Sequence, residues 1–287
     1  MIKNMDIETA EYSGYCFGVK RAIGITEKTI NKYKKTDSKI YTLGEIIHNS
    51  GVVEELSKKG LSAAKDEKEI ASGSVLIVRS HGMSPTILEK IKSRNVKIVD
   101  ATCPFVKKAQ SKAKYLSQNG YFVVIIGNKD HPEIKGIKEH VEDSNCCMVI
   151  ENAEEVSKLR KKKKIGVVVQ TTQTNENFES IVRKILGKAK EILIENTICS
   201  ITKNRQNSAR KLAKKTDVML VVGGKRSANT AHLAEISKKY NIRTYRIENF
   251  KEINAEWFKG AKKAGIIGGA STPIKDIVDV KKIIEKI

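Results

Sequence analysis

Apolar positions along the chain fall into two alternating kinds of segment. Short unbroken runs, such as Ser74–Ser80 (SVLIVRS), Tyr121–Gly127 (YFVVIIG), Lys164–Gln170 (KIGVVVQ), Asp217–Gly224 (DVMLVVGG) and Ala264–Ala270 (AGIIGGA), have the length and content of buried strands. Between them lie longer stretches with helically spaced apolar residues and lysine-rich polar faces, as in EKTINKYKKT and ELSKKG. This alternation predicts parallel α/β units, whose ligands sit on the loops at the C-terminal ends of the strands.

The pattern repeats. Cys16-Phe-Gly-Val-Lys20, Cys103-Pro-Phe-Val-Lys107 and Cys199-Ser-Ile-Thr-Lys203 all read C-x-x-[VT]-K, and each opens a helical stretch. The cysteines are 87 and 96 residues apart, a long period that points to duplicated structural units. A strand after each helix ends in a polar loop holding His48-Asn49, His131-Pro132-Glu133 or Ser227-Ala228-Asn229. A second strand then leads to His81, to Thr171-Thr172 or to Ser271-Thr272. The chain is therefore expected to form three small α/β domains, over residues 1–101, 102–197 and 198–287, in a pseudo-threefold arrangement with these loops facing a shared centre.

Composition refines this picture. The 287 residues alone suggest about two domains, and the repeat favours three smaller ones. No apolar run approaches the ~18 residues of a membrane span. The start, MIKNMDIETA, lacks the apolar core of a secretory signal, so a cytoplasmic location is expected. A net charge of +21 invites a nucleic-acid reading. However, the positive residues are 44 lysines against 10 arginines, and aromatics make up only 5% of the chain. Base and bidentate phosphate recognition favours arginine, and single strands are held by aromatic stacking, so the charge reads as solvated helix faces. The run Lys161–Lys164 reads as a turn leading into a strand.

Five cysteines are an odd number without a disulfide framework. Widely separated single cysteines are unlike the paired C-x-x-C of a zinc ribbon. At a helix start, the dipole and free N–H groups stabilise a thiolate. Three thiolates at one centre would suit an iron–sulfur cluster with one iron left open. The alternative is that they are small buried apolar residues. Cys146 and Cys147 fall outside the repeat, in the apparent strand CCMVI, and read as core or edge residues.

His48, His81 and His131 occupy repeat loops and could be zinc ligands, phosphate binders or general acids; with Ser227, Asn229 and Ser271 they make a set of donors suited to a diphosphate. His140 and His232 lie in helical patterns and are read as structural. Glu133 and Thr171 belong to the same unit. A carboxyl and a hydroxyl near an open iron could relay a proton; alternatively, Glu133 caps a helix beginning near Ile134.

GYCFGVKRAI, IIHNSGVVEEL, RSHGMS, VDATCPFVKKAQ, GNKDHPEIKG, QTTQT, ICSITKNRQ, VVGGKRSANTAHLAEIS and GGASTP, running from Gly14 to Pro273, resemble the LytB/IspH family of 4-hydroxy-3-methylbut-2-enyl diphosphate reductases. The resemblance implies a [4Fe-4S] cluster held by Cys16, Cys103 and Cys199, with its open iron on the substrate's allylic oxygen. It implies reductive loss of the hydroxyl as water, giving isopentenyl and dimethylallyl diphosphates, the last step of the methylerythritol phosphate route. It further implies that His48, His81, His131, Ser227, Asn229 and Ser271 hold the diphosphate, that Glu133 donates protons and that Thr171 positions the hydroxyl. Ferredoxin or flavodoxin is the implied electron donor, with no nucleic acid or membrane partner.

Three positions depart from the family pattern. Ala228 stands where a second serine is usual, so a backbone N–H there is expected to make the phosphate contact. Asn128 and Asp130 replace a common His and Gly, and Glu45 replaces a common Pro. Two other readings compete: an iron–sulfur regulator that binds nucleic acid through its basic surface, and a hydro-lyase that uses an open iron without net electron transfer.

Overall fold

The computed structural model describes residues 5–287. The first part of the chain runs β1 (Asp6–Thr9), α1 (Phe17–Tyr33), β2 (Ile40–Leu43), α2 (Ser50–Lys58), β3 (Leu61–Ala64), β4 (Val75–Val78), α3 (Pro85–Lys92) and β5 (Lys97–Asp100). The middle part runs α4 (Pro104–Gln118), β6 (Phe122–Ile126), α5 (Pro132–Lys138), β7 (Cys147–Ile150), β8 (Lys162–Val169), α6 (Asn175–Ile185) and β9 (Ala189–Glu195). The last part runs α7 (Ser200–Ala213), β10 (Val218–Val222), α8 (Ala228–Lys238), β11 (Thr244–Ile247), β12 (Lys263–Gly268) and α9 (Ile274–Ile284).

The strands form three four-stranded sheets, ordered β3-β2-β4-β5, β7-β6-β8-β9 and β11-β10-β12-β1, and every pairing is parallel. The mixed α/β class expected from the apolar pattern is the observed one. The reason is local: β4 (VLIV) and β10 (VMLVV) are buried at every position, as strands covered on both faces must be. Each such Val, Leu or Ile contributes ~1.5–3 kcal/mol on burial, so these central runs dominate the core energetics.

Two features differ from the sequence reading. First, β1 pairs with β12 and so lies in the sheet of the last third, not with the rest of residues 1–101. The three sheets have the same order only if β1, β5 and β9 are equivalent edge strands, so the start of the chain completes the final sheet. By contacts the chain divides into a unit of residues 1–19, 48–51 and 200–287, and a unit of residues 20–47 and 52–199. Second, Lys162–Lys164 opens β8 instead of forming a turn. The strand tolerates these lysines because Lys164 Nζ lies 3.3 Å from Glu191 on β9, and Lys162 Nζ sits 4.3 Å above the Phe122 ring.

Candidate active site

Cys16, Cys103 and Cys199 each stand immediately before the first residue of a helix: α1, α4 and α7. The equivalence extends to the backbone. The Cys103 N–H donates to the Ser80 carbonyl at 3.0 Å, that of Cys199 to the Thr171 carbonyl at 3.0 Å, and that of Cys16 to the Ala270 carbonyl at 2.9 Å. Each acceptor lies two residues past the end of a central strand: β4, β8 or β12. Every cysteine is thus fastened to the sheet whose edge strand it follows, at the C-terminal end where α/β folds gather ligands. All three are half-buried, and none is in a disulfide. The Cys16 Sγ accepts the Val19 N–H at 3.4 Å, a capping contact in which a thiolate is the better acceptor.

Within residues 52–199, His81 and His131 meet edge to face with ring centroids 5.4 Å apart. His131 is the N-cap of α5, and Pro132 opens the helix. Its Nδ1 accepts the Glu133 N–H at 3.2 Å, which leaves the ring proton on Nε2. Glu133 therefore does not cap α5, because the preceding histidine fills that role. Its carboxylate turns to the loop after β8 instead. Oε1 accepts the Thr171 N–H at 2.7 Å, and Oε2 pairs with the Thr171 hydroxyl at 2.8 Å. Glu133 is 1% exposed. Burial pushes its carboxyl up to about 7, against the opposing pull of the two Thr171 hydrogen bonds. A protonated Glu133 donates to Thr171 Oγ1, which frees the threonine's own proton for a group beyond it. Behind His81, Gly82 has φ +79°, and a Cβ there would lie 2.5 Å from Gln110 Nε2.

Within the other unit, Ser227 caps α8, its hydroxyl oxygen accepting the Thr230 N–H at 3.3 Å while its own proton stays available. Ala228 and Asn229 follow as the first two helical residues, whose N–H groups have no acceptor within the helix. Asn229 is 4% exposed, and neither its Oδ1 nor its Nδ2 has a partner. An orphaned buried amide is costly, which makes Asn229 a candidate ligand group. The Ser271 hydroxyl donates to the His48 carbonyl at 2.9 Å, and so braces the histidine loop. That loop lies close on the strand end: a Cβ at Gly224 would come 2.4 Å from the His48 carbonyl oxygen.

The remaining expectations resolve simply. Cys146 is exposed in a short turn and Cys147 is half-buried at the start of β7, an edge strand. His140 lies just past α5 rather than within it, its Nδ1 bonded to the Gly136 carbonyl at 2.7 Å. Asn128 builds a side-chain turn before His131, its Oδ1 accepting the Asp130 N–H at 2.9 Å. Glu45 stands near half-buried Arg79, whose guanidinium burial pushes down and the glutamate pulls up.

The sequence reading passed over Gln170. Its Oε1 accepts the Asn128 N–H at 3.0 Å and its Nε2 donates to Thr172 Oγ1 at 3.2 Å, tying the His131 loop to the Thr171 loop. The available signal was an uncharged polar residue directly after the apolar run of residues 165–169 that ends β8.

A family model described as "LytB protein" matches residues 7–285. A 4-hydroxy-3-methylbut-2-enyl diphosphate reductase of Aquifex aeolicus is 42% identical, over 99% of this chain and 97% of its own. One from Geobacter metallireducens is 45% identical over 99% and 97%. A solved structure described as (E)-4-hydroxy-3-methyl-but-2-enyl diphosphate reductase, the terminal enzyme of the non-mevalonate pathway, is 42% identical, with TM-score 0.71 over 99% of this chain and 100% of its own. A reductase structure from Plasmodium falciparum, 29% identical, has TM-score 0.90 over 99% and 88%. The cysteine-headed helices, the Glu133–Thr171 pair and the Ser227–Asn229 helix start thus lie within a match that spans nearly the whole chain: it belongs to the LytB protein family.

Proposed function

We propose that the protein reductively dehydroxylates 4-hydroxy-3-methylbut-2-enyl diphosphate to isopentenyl and dimethylallyl diphosphates. The observation that carries this reading is the buried Glu133 carboxyl gripped by Thr171, whose carbonyl in turn holds Cys199. It joins a proton source at neutral pH to a cysteine at a helix start.

Cys16, Cys103 and Cys199 would hold a [4Fe-4S] cluster. The donor set fits: three cysteines outside any disulfide, in equivalent positions, each at the positive end of a helix. When bound, the cluster supplies single electrons and an open Lewis-acid iron.

The chain's own residues do the rest. His48, His81, His131, Ser227, the Ala228 N–H, Asn229 and Ser271 bind the diphosphate, whose remote binding energy fixes the allylic carbon in place. Thr171 positions the substrate hydroxyl, and Glu133 delivers a proton through the Thr171 oxygen. The C–O bond breaks, the oxygen leaves as water, and two electrons with a second proton, added at either end of the allylic system, complete the two products. An acidic ferredoxin or flavodoxin serves as donor, drawn by the lysine-rich surface. No described helix is long and apolar enough to cross a membrane.

An anaerobic assay of the iron-loaded protein tests the reaction. Product forms only with a strong one-electron reductant, and turnover without one would identify a hydro-lyase instead. The anion pocket is tested separately by Asn229→Ala. A hydrogen bond to a charged group is worth ~1.5–3 kcal/mol, so pyrophosphate affinity by calorimetry falls ~10–100-fold. The metal-free variant melts no lower than the wild type, because the amide it loses is unpartnered.

A further inference from the structure

Arg205 lies on α7 and is 3% exposed. Its guanidinium donates to the Gly268 carbonyl at 2.6 Å and to the Gly14 carbonyl at 2.8 Å. Its Nε has no partner. These two carbonyls lie two residues before Ala270 and Cys16, which are joined by the Cys16 N–H bond to the Ala270 carbonyl. Neutral carbonyls engage two of the guanidinium hydrogens but leave the charge uncompensated. Among the described residues no carboxylate pairs with Arg205, and its one electrostatic partner is Cys16. Burying a charge in this way is expensive unless an opposite charge is supplied.

We propose that Arg205 is a positioning residue that compensates the negative charge gathered at Cys16, and that it raises the reduction potential of the group this cysteine ligates. The proposal rests on the assignment of Cys16 to an iron–sulfur cluster. Adding an electron adds a negative charge, and a fixed guanidinium in a dry site favours that product over the oxidised form. The two carbonyl bonds have a second role: they hold the cation against the segment carrying Cys16, so it cannot swing into solvent.

The test compares wild type, Arg205→Lys and Arg205→Gln after anaerobic reconstitution. Iron and sulfide are counted first, and a wild type that takes up neither defeats the cluster assignment itself. Midpoint potentials then follow from redox titration monitored by electron paramagnetic resonance. The glutamine variant, which keeps donors without charge, is expected to be at least tenfold harder to reduce, a fall of about 59 mV for one electron. The lysine variant, which keeps charge without the fork, stays with the wild type. A glutamine variant at the wild-type potential overturns the proposal. So does an equal fall in both variants, which would make the role one of geometry alone. If the glutamine variant does not load, the lysine variant decides, and a tenfold fall there overturns the proposal.

Discussion

Cys103→Ser is expected to give a folded protein that takes up no stable cluster and stays colourless. The residue is the N-cap of α4, followed by Pro104, and serine is itself a preferred N-cap, so the helix start survives. The backbone bond to the Ser80 carbonyl is also unaffected, since it uses only the Cys103 N–H. What is lost is the thiolate, the form that ligates iron, because a serine hydroxyl does not ionise at neutral pH. Activity should fall by more than the ~10–100-fold that losing a mere supporting partner costs. Iron and sulfide counts, with circular dichroism to show folding, check the result. A fully active, colourless variant would refute the assignment.

Glu133→Gln is expected to slow turnover by ~10² or more while leaving pyrophosphate binding nearly unchanged. The amide reproduces the two contacts with Thr171: its oxygen accepts the Thr171 N–H and its NH2 donates to the hydroxyl. It has no proton to give. Equal losses of binding and rate would instead mark a structural role. Two pH signatures accompany this. Because the carboxyl is pushed up to about 7, wild-type turnover should decline as pH rises through that value and the acid form disappears.

The second signature concerns stability. The folded state holds the Glu133 proton up to about pH 7, whereas the unfolded chain releases it near 4.5. Between these values the native state binds more protons, so stability falls as pH rises, by about 3 kcal/mol once above pH 7. Removing the titration should therefore make the metal-free glutamine variant melt higher than the wild type at pH 8, with the difference closing towards pH 4.5. A difference independent of pH would show that Glu133 does not carry the shifted proton.

Much of this was legible because it is local. A run such as VMLVV is a buried strand in almost any setting. A cysteine heading an amphipathic stretch reads as a helix start from its neighbours alone. The threefold recurrence of C-x-x-[VT]-K heads pointed to Cys16, Cys103 and Cys199 without any coordinates. What was not legible depends on which strand lies beside which. Nothing near Asp6–Thr9 shows that it pairs with Lys263–Ile266 at the far end of the chain. Gln170 and Arg205 are ordinary polar residues in sequence. Their roles come from partners 42 positions away at Asn128, and 63 and 191 positions away at Gly268 and Gly14.

The amino-acid sequence by itself determined the α/β class, the strand and helix repeat, the three thiols and the polar loops, because apolar periodicity and helix capping act over a few residues. Only the tertiary structure decided that His131 caps α5 while Glu133 turns to Thr171, that β1 completes the last sheet, and that a guanidinium without a carboxylate sits beside Cys16. Hydrogen bonds and burial between distant segments exist only once sheet order and register are set. The elevated carboxyl of Glu133 and the uncompensated charge of Arg205 are consequences of that burial.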